Sequence, residues 1–141
     1  MNWKTEKYLL DNGDTKMISE LTGEKGLVLF FYPVANADHC SMELKAYEKN
    51  AMAINNKGYK IVGTSRDDKM AQEIFAKTCN INYALISDTD LTLHNEFKVL
   101  TSTEPAEEDR STFILDKDLN ILHEFRSVDT TKHIDEVLMK L

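Results

Sequence analysis

The run Gly26-Leu27-Val28-Leu29-Phe30-Phe31-Tyr32, ended by Pro33, constrains the fold more than any other feature of the chain. It has no apolar/polar alternation, so a strand made from it must be buried on both faces, as a central parallel strand is. Pro33 cannot continue a hydrogen-bonded ladder, and the chain leaves the sheet there. A strand covered on both sides needs helices on both sides.

The rest of the sequence supplies them. After a short polar loop from Val34 to His39, Leu44, Tyr47, Ala51 and Ile54 recur at helical steps. This predicts a helix from Cys40 to about Asn56, stopped by Lys57-Gly58. Tyr59 to Ser65 is a second strand with a β-branched centre. Asp67 or Asp68 then caps a helix whose expected apolar face is Met70, Ala71, Ile74 and Phe75. Tyr83 to Ile86 is a short third strand, followed by a small helix near Leu91 to Phe97. Lys98 to Asp109 is polar and contains Pro105, which predicts a surface loop. Ser111–Asp116 and Ile121–Arg126 flank the turn sequence Lys117 to Asn120 and form a hairpin. Ile134, Val137, Leu138 and Leu141 mark one face of a last helix beginning near Thr130. Trp3 is expected to be a partly buried anchor in a leading strand-like segment. The fold class is α/β: a thioredoxin-like fold with a central mixed sheet flanked by helices on both faces. The expected organisation is one domain over residues 1–141.

Composition narrows the function. Seventeen Lys and Arg against 24 Asp and Glu give a net charge of −7, which argues against nucleic acid as a partner. The segment MNWKTEKYLLDNGD lacks an apolar signal core, and no apolar run approaches the ~20 residues that cross a bilayer. Two cysteines, at 40 and 79, form neither a disulfide framework nor a metal-type pair. The expectation is a soluble, acidic, cytoplasmic protein without membrane association.

Cys40 holds the most informative position: strand, Pro33, six-residue loop, then the first turn of a helix. Unpaired N–H groups there favour thiolate over thiol, and His39 adds to this when protonated. The alternative fate of a free cysteine is a small buried hydrophobe. A dithiol motif needs a second Cys at position 43, where Glu43 stands. His39, His94, His123 and His133 are scattered and give no Cys/His protease signature. One Cys beside one His is a poor zinc site. Glu104, Glu107, Glu108 and Asp109 have no metal-ligand spacing and read as a solvated loop. What remains is a lone nucleophilic thiolate.

Here the residues carry a resemblance. Phe30 to Glu43, with Pro33, Cys40 and Glu43 in register, resembles the active-site stretch of peroxiredoxins, most closely the bacterioferritin-comigratory (Q-type) subgroup. Val62-Gly63-Thr64-Ser65-Arg66-Asp67, Leu85-Ile86-Ser87-Asp88 and Arg110-Ser111-Thr112-Phe113-Ile114-Leu115-Asp116 resemble three further family segments, in the right order. The resemblance implies a thiol-dependent peroxidase that reduces hydrogen peroxide or organic hydroperoxides. Cys40 would attack the distal peroxide oxygen and become a sulfenic acid, while Arg110 stabilises the thiolate and the departing oxygen. Pro33 would shield the pocket, and Glu43 would orient Arg110 by a carboxylate–guanidinium pair. No metal, haem or flavin is implied. The reductant would be thioredoxin, glutaredoxin or a low-molecular-weight thiol, and the protein a monomer or weak homodimer.

Two departures matter. The family's threonine, three residues before the Cys, is Ala37 here, and losing that hydroxyl costs on the order of 1–3 kcal/mol where an activated oxygen is left without a partner. A resolving cysteine five residues after the first is replaced by Lys45. Cys79, at the end of the following predicted helix, is either a resolving cysteine or a helix-end filler in a one-Cys enzyme. Ala37 motivates an alternative: a catalytically weakened peroxiredoxin-like redox sensor or binding domain. A second alternative is thiol–disulfide exchange using Cys40 and Cys79.

Overall fold

The computed structural model describes residues 2–33, 42–100, 110–126 and 133–141. Alternating side chains of the long apolar run decide the layering. Strands β1 (Tyr8–Leu9) and β2 (Thr15–Lys16) and a 3-10 turn over Ile18–Leu21 precede β3 (Gly26–Phe31), the predicted central strand. Then come α1 (Met42–Lys49), α2 (Ala51–Asn56), β4 (Tyr59–Ser65), α3 (Lys69–Thr78), β5 (Ala84–Ser87), α4 (Thr92–Glu96), β6 (Ser111–Asp116), β7 (Ile121–Phe125) and α5 (His133–Lys140). The five-stranded sheet has the order β5-β4-β3-β6-β7, with β3 parallel to β4 and antiparallel to β6. It is a mixed, thioredoxin-like sheet with helices on both faces.

Leu27, Leu29 and Phe31 join a core with Leu10, Ile18, Leu93, Phe97 and Phe113 on one face. Val28, Phe30 and Tyr32 join another with Leu44, Tyr47, Ile54, Phe75 and Val137 on the opposite face. The period of two in a strand makes this division. Gly63 follows from the same crowding, since a Cβ there would lie 2.8 Å from both Phe30 Cζ and Leu85 Cδ2.

Several expectations need correction. The helix drawn from Cys40 to Asn56 is interrupted at Asn50, whose side-chain amide donates to the Ala46 carbonyl at 2.8 Å and so competes with the backbone ladder. In α3, Asp68 is the N-cap, accepting from Ala71 N–H at 2.9 Å. Its buried face, however, is Gln72, Phe75 and Ala76, while Met70 and Ile74 stand 68% and 49% exposed. Gln72 is drawn inward because Tyr32 donates its hydroxyl proton to Oε1 and Nε2 donates to the Ile86 carbonyl at 2.9 Å. Trp3 lies in a turn rather than a strand, although it does pack edge-on against Phe97 at 5.0 Å.

The amino-terminal hairpin closes over Gly13 (φ +93°) and continues through Leu10, which bridges Ile86. Asp11 N–H donates to Leu85 O at 2.9 Å, and Leu85 N–H donates to Asp11 Oδ1 at 3.0 Å, so the outer edge of β5 is covered. At the other side, the predicted β6–β7 hairpin turns on Asp116. Its Oδ1 accepts from the N–H groups of Asp118 and Asn120, and these bonds hold its carboxyl below the usual range. The expected loop over Lys98–Asp109 and the start of the last helix at Thr130 lie largely outside the described residues.

Candidate active site

Strand register determines what meets at the carboxyl end of β3. Phe31 lies opposite Thr64 of β4 on one side and Ser111 of β6 on the other. Arg110 immediately precedes β6 at this end, and Pro33, half-buried, stands two residues after Phe31, where the chain leaves the sheet. Sites in α/β sheets form beyond such strand ends.

Helix α1 brings Glu43 to this place in its first turn. Glu43 is 1% exposed, and Arg110 Nη1 donates to its Oε1 at 2.9 Å. The Arg110 side chain keeps 31% of its exposure. A guanidinium is planar and permanently charged, so a buried carboxylate on one edge fixes its orientation while the other side can meet an incoming anion. The pair can therefore stabilise a thiolate or an oxygen gaining negative charge.

A second polar layer lies behind it. Tyr47 is four residues after Glu43 on α1, and Thr112 is two residues after Arg110 on β6. His133 Nε2, from α5, lies 2.6 Å from the Tyr47 hydroxyl and 2.7 Å from Thr112 Oγ1, and the two hydroxyls are 3.1 Å apart. The same Nε2 is 4.0 Å from Glu43 Oε2. Burial lowers the His133 pKa to about 4, leaving the imidazole neutral at neutral pH. Burial, with the Glu43 charge added, pushes the Tyr47 phenol well above its ordinary value, so it keeps its proton.

Of the residues singled out in the sequence, Glu43 and Arg110 are brought together. Cys40 and Ala37 lie outside the described residues. Cys79 is the C-cap of α3, 7% exposed, in the core layer shared by Leu44 and Tyr47. It is disulfide-bonded.

The AhpC/TSA family model matches residues 4–124. The chain belongs to the AhpC/TSA family. Peroxiredoxins, the members it resembles, are thiol-dependent peroxidases served by thioredoxin-type reductants. A putative peroxiredoxin bcp of Helicobacter pylori (strain J99) is 30% identical over 141 residues, covering 95% of this chain and 92% of that protein. Chloroplastic peroxiredoxin Q of Gentiana triflora is 30% identical over 138 residues, and the match covers 94% of this chain but 62% of the plant protein's length. A solved structure of a Xylella fastidiosa PrxQ variant has a TM-score of 0.90 at 26% identity, covering 99% of this chain and 91% of that one.

Family segments away from the strand end have structural work that geometry explains. Ser65 Oγ donates to Asp67 Oδ2 at 2.7 Å, fixing the exit from β4. Asp88 accepts from the N–H groups of Leu93 and His94 and anchors α4. Sequence reasoning missed the triad of Tyr47, Thr112 and His133, because its members come from three segments with no shared motif. The spacings Glu43/Tyr47 and Arg110/Thr112 were the available signal. Among the described residues, no group of three or more His, Cys, Asp or Glu could hold a metal ion. No helix among them is long and apolar enough to cross a membrane. A cleft of about 500 Å3 lies at the amino ends of β4 and β5, lined by Glu48, Asn55, Gly58, Tyr59 and Ala84, away from Arg110.

Proposed function

We propose that this chain reduces hydrogen peroxide or organic hydroperoxides through the thiolate of Cys40. The observation that carries the reading is the Arg110 guanidinium, half-open to solvent and fixed by buried Glu43 at the carboxyl end of β3. In this reading Cys40 Sγ attacks the distal peroxide oxygen and the O–O bond breaks. The sulfur is oxidised to a sulfenic acid, and water or an alcohol leaves after taking up a proton. Arg110 holds the thiolate and the departing oxygen, Pro33 shields the pocket, and Ala37 would stand in the substrate pocket in place of the threonine of the family pattern that the sequence resembles.

Cys79 is the proposed resolving residue. Its thiol would attack the sulfenic sulfur, forming a disulfide and releasing water. Its disulfide, in a chain with two cysteines, supports that role. Thioredoxin, glutaredoxin or a small thiol would then reduce the pair. The proposal takes the chain as one domain, a monomer or weak homodimer, in a reducing cytoplasmic compartment where such donors are found.

Ala37 favours a second reading, a redox sensor or binding domain with weak peroxidase activity. Intact-mass analysis after a brief, near-stoichiometric pulse of hydrogen peroxide separates the two, with the Cys79→Ser variant beside the native chain. The peroxidase reading predicts rapid disulfide formation, replaced in the variant by a trappable sulfenic acid. A sulfenic acid in both makes Cys79 a bystander. Oxidation of Cys40 no faster than a free thiol favours the sensor.

A further inference from the structure

We propose that His133 is a positioning residue for the Arg110–Glu43 pair, acting through Tyr47 and Thr112. The inference rests on the reading of Arg110 as the group that stabilises the reacting thiolate. Helix α1 carries both Glu43 and Tyr47 on one face, and Arg110, the residue just before β6, lies two residues before Thr112 of that strand. Two links therefore join this helix to this strand: the ion pair at 2.9 Å and, one turn further in, the hydroxyl pair at 3.1 Å.

His133 Nε2 is the third corner of the inner link, within 2.7 Å of both hydroxyls. Its ring is held edge-on by Tyr47 at 5.8 Å and Phe125 at 5.7 Å. Movement of α1 along β6 would break the inner contacts and loosen the ion pair together. Orientation of a charged donor matters most at a site of developing charge.

A core histidine kept only for packing would be a poor choice here. It is 2% exposed, and its Nδ1 is buried without a hydrogen-bond partner among the described residues. A leucine would fill similar space without that desolvation cost. The retained imidazole is explained by what Nε2 touches. Glu43 Oε2 lies 4.0 Å from Nε2, and burial keeps the ring neutral beside that carboxylate.

A double-mutant cycle tests the proposal, read as the bimolecular rate of hydrogen peroxide with Cys40 in the reduced full chain. His133→Leu should slow the reaction roughly five- to tenfold, the loss expected for one hydrogen bond of ordinary net strength. His133→Gln, which returns a polar group near the Nε2 position, should recover part of the rate. In the Arg110→Ala background, His133→Leu should change the rate less than about twofold, because the residue through which it acts is gone. Equal losses in both backgrounds, or none in a folded single variant, would overturn the proposal. If His133→Leu does not fold, Thr112→Val carries the same cycle with the same criteria. A native rate in Arg110→Ala alone would instead remove the site reading itself.

Discussion

Two acid–base pairs, one fully buried and one half-open, lie on opposite faces of one sheet, and they are built for different ends. Asp88 and His94 are both fully buried, with His94 Nδ1 2.6 Å from Asp88 Oδ2. The Asp88 carboxylate also accepts the Leu93 and His94 N–H groups at 3.1 and 2.8 Å, and His94 packs edge-on against Phe31. Its charge is consumed locally, in starting α4. Glu43 and Arg110 are 67 residues apart, and the arginine stays open to solvent. That charge is held from behind and presented outward. Architecture satisfies a polar group from every side, whereas a site leaves one side for a reactant.

The comparison can be broken at either pair. Arg110→Ala should slow the peroxide reaction of Cys40 by about 10²-fold, the scale of losing one charge-stabilising donor. Its thermal midpoint should fall less than that of Asp88→Ala, because the Arg110 side chain is 31% exposed and its removal opens the Glu43 carboxylate to water. The measurement is single-turnover oxidation beside a melting curve. Asp88→Ala should do the reverse. Removing one partner of a buried pair and the anchor of α4 should cost about 3 kcal/mol in denaturant unfolding, with the rate of the folded fraction preserved. If Asp88→Ala slows the chemistry as much as Arg110→Ala does, the two pairs are not separate devices.

A smaller effect sharpens the contrast through pH. The His133 pKa is lowered in the fold to about 4 from 6.5, so the unfolded chain binds a proton between those values and the folded chain does not. Its contribution to stability is complete above pH 6.5 and falls as pH drops toward 4, by on the order of 2–3 kcal/mol. Unfolding measured at pH 7 and pH 4.5 should show a smaller pH-dependent loss in His133→Leu than in the native chain. Equal losses would mean that the imidazole is not kept neutral by the fold.

Legibility in the sequence followed the range of the interactions. The β3 run was readable because burial on both faces leaves a continuous apolar string, and the β6–β7 hairpin because Lys117 to Asn120 interrupts two such strings. The buried face of α3 was misread because apolar count favoured Met70 and Ile74. Gln72 is inside only because Tyr32, the residue after β3, and the Ile86 carbonyl of β5 meet its amide. The β1–β2 hairpin was overlooked although Asn12-Gly13 is a strong local turn signal. At the site, Glu43 and Arg110 could be named as partners only through the family resemblance, since nothing local joins positions 43 and 110. Tyr47, Thr112 and His133 read singly as a helix aromatic, a strand threonine and a scattered histidine; only the packing of α1, α5 and β6 makes them a unit.

The most direct test is the bimolecular rate constant for hydrogen peroxide with the reduced Cys79→Ser chain, followed by stopped flow with sulfenic-acid trapping at Cys40. The account predicts a rate orders of magnitude above that of a free cysteine thiol, reduced about 10²-fold in Arg110→Ala and absent in Cys40→Ser. A rate equal to that of the free thiol would show that Arg110 and Glu43 present their charge to no reacting thiolate, and would contradict the account.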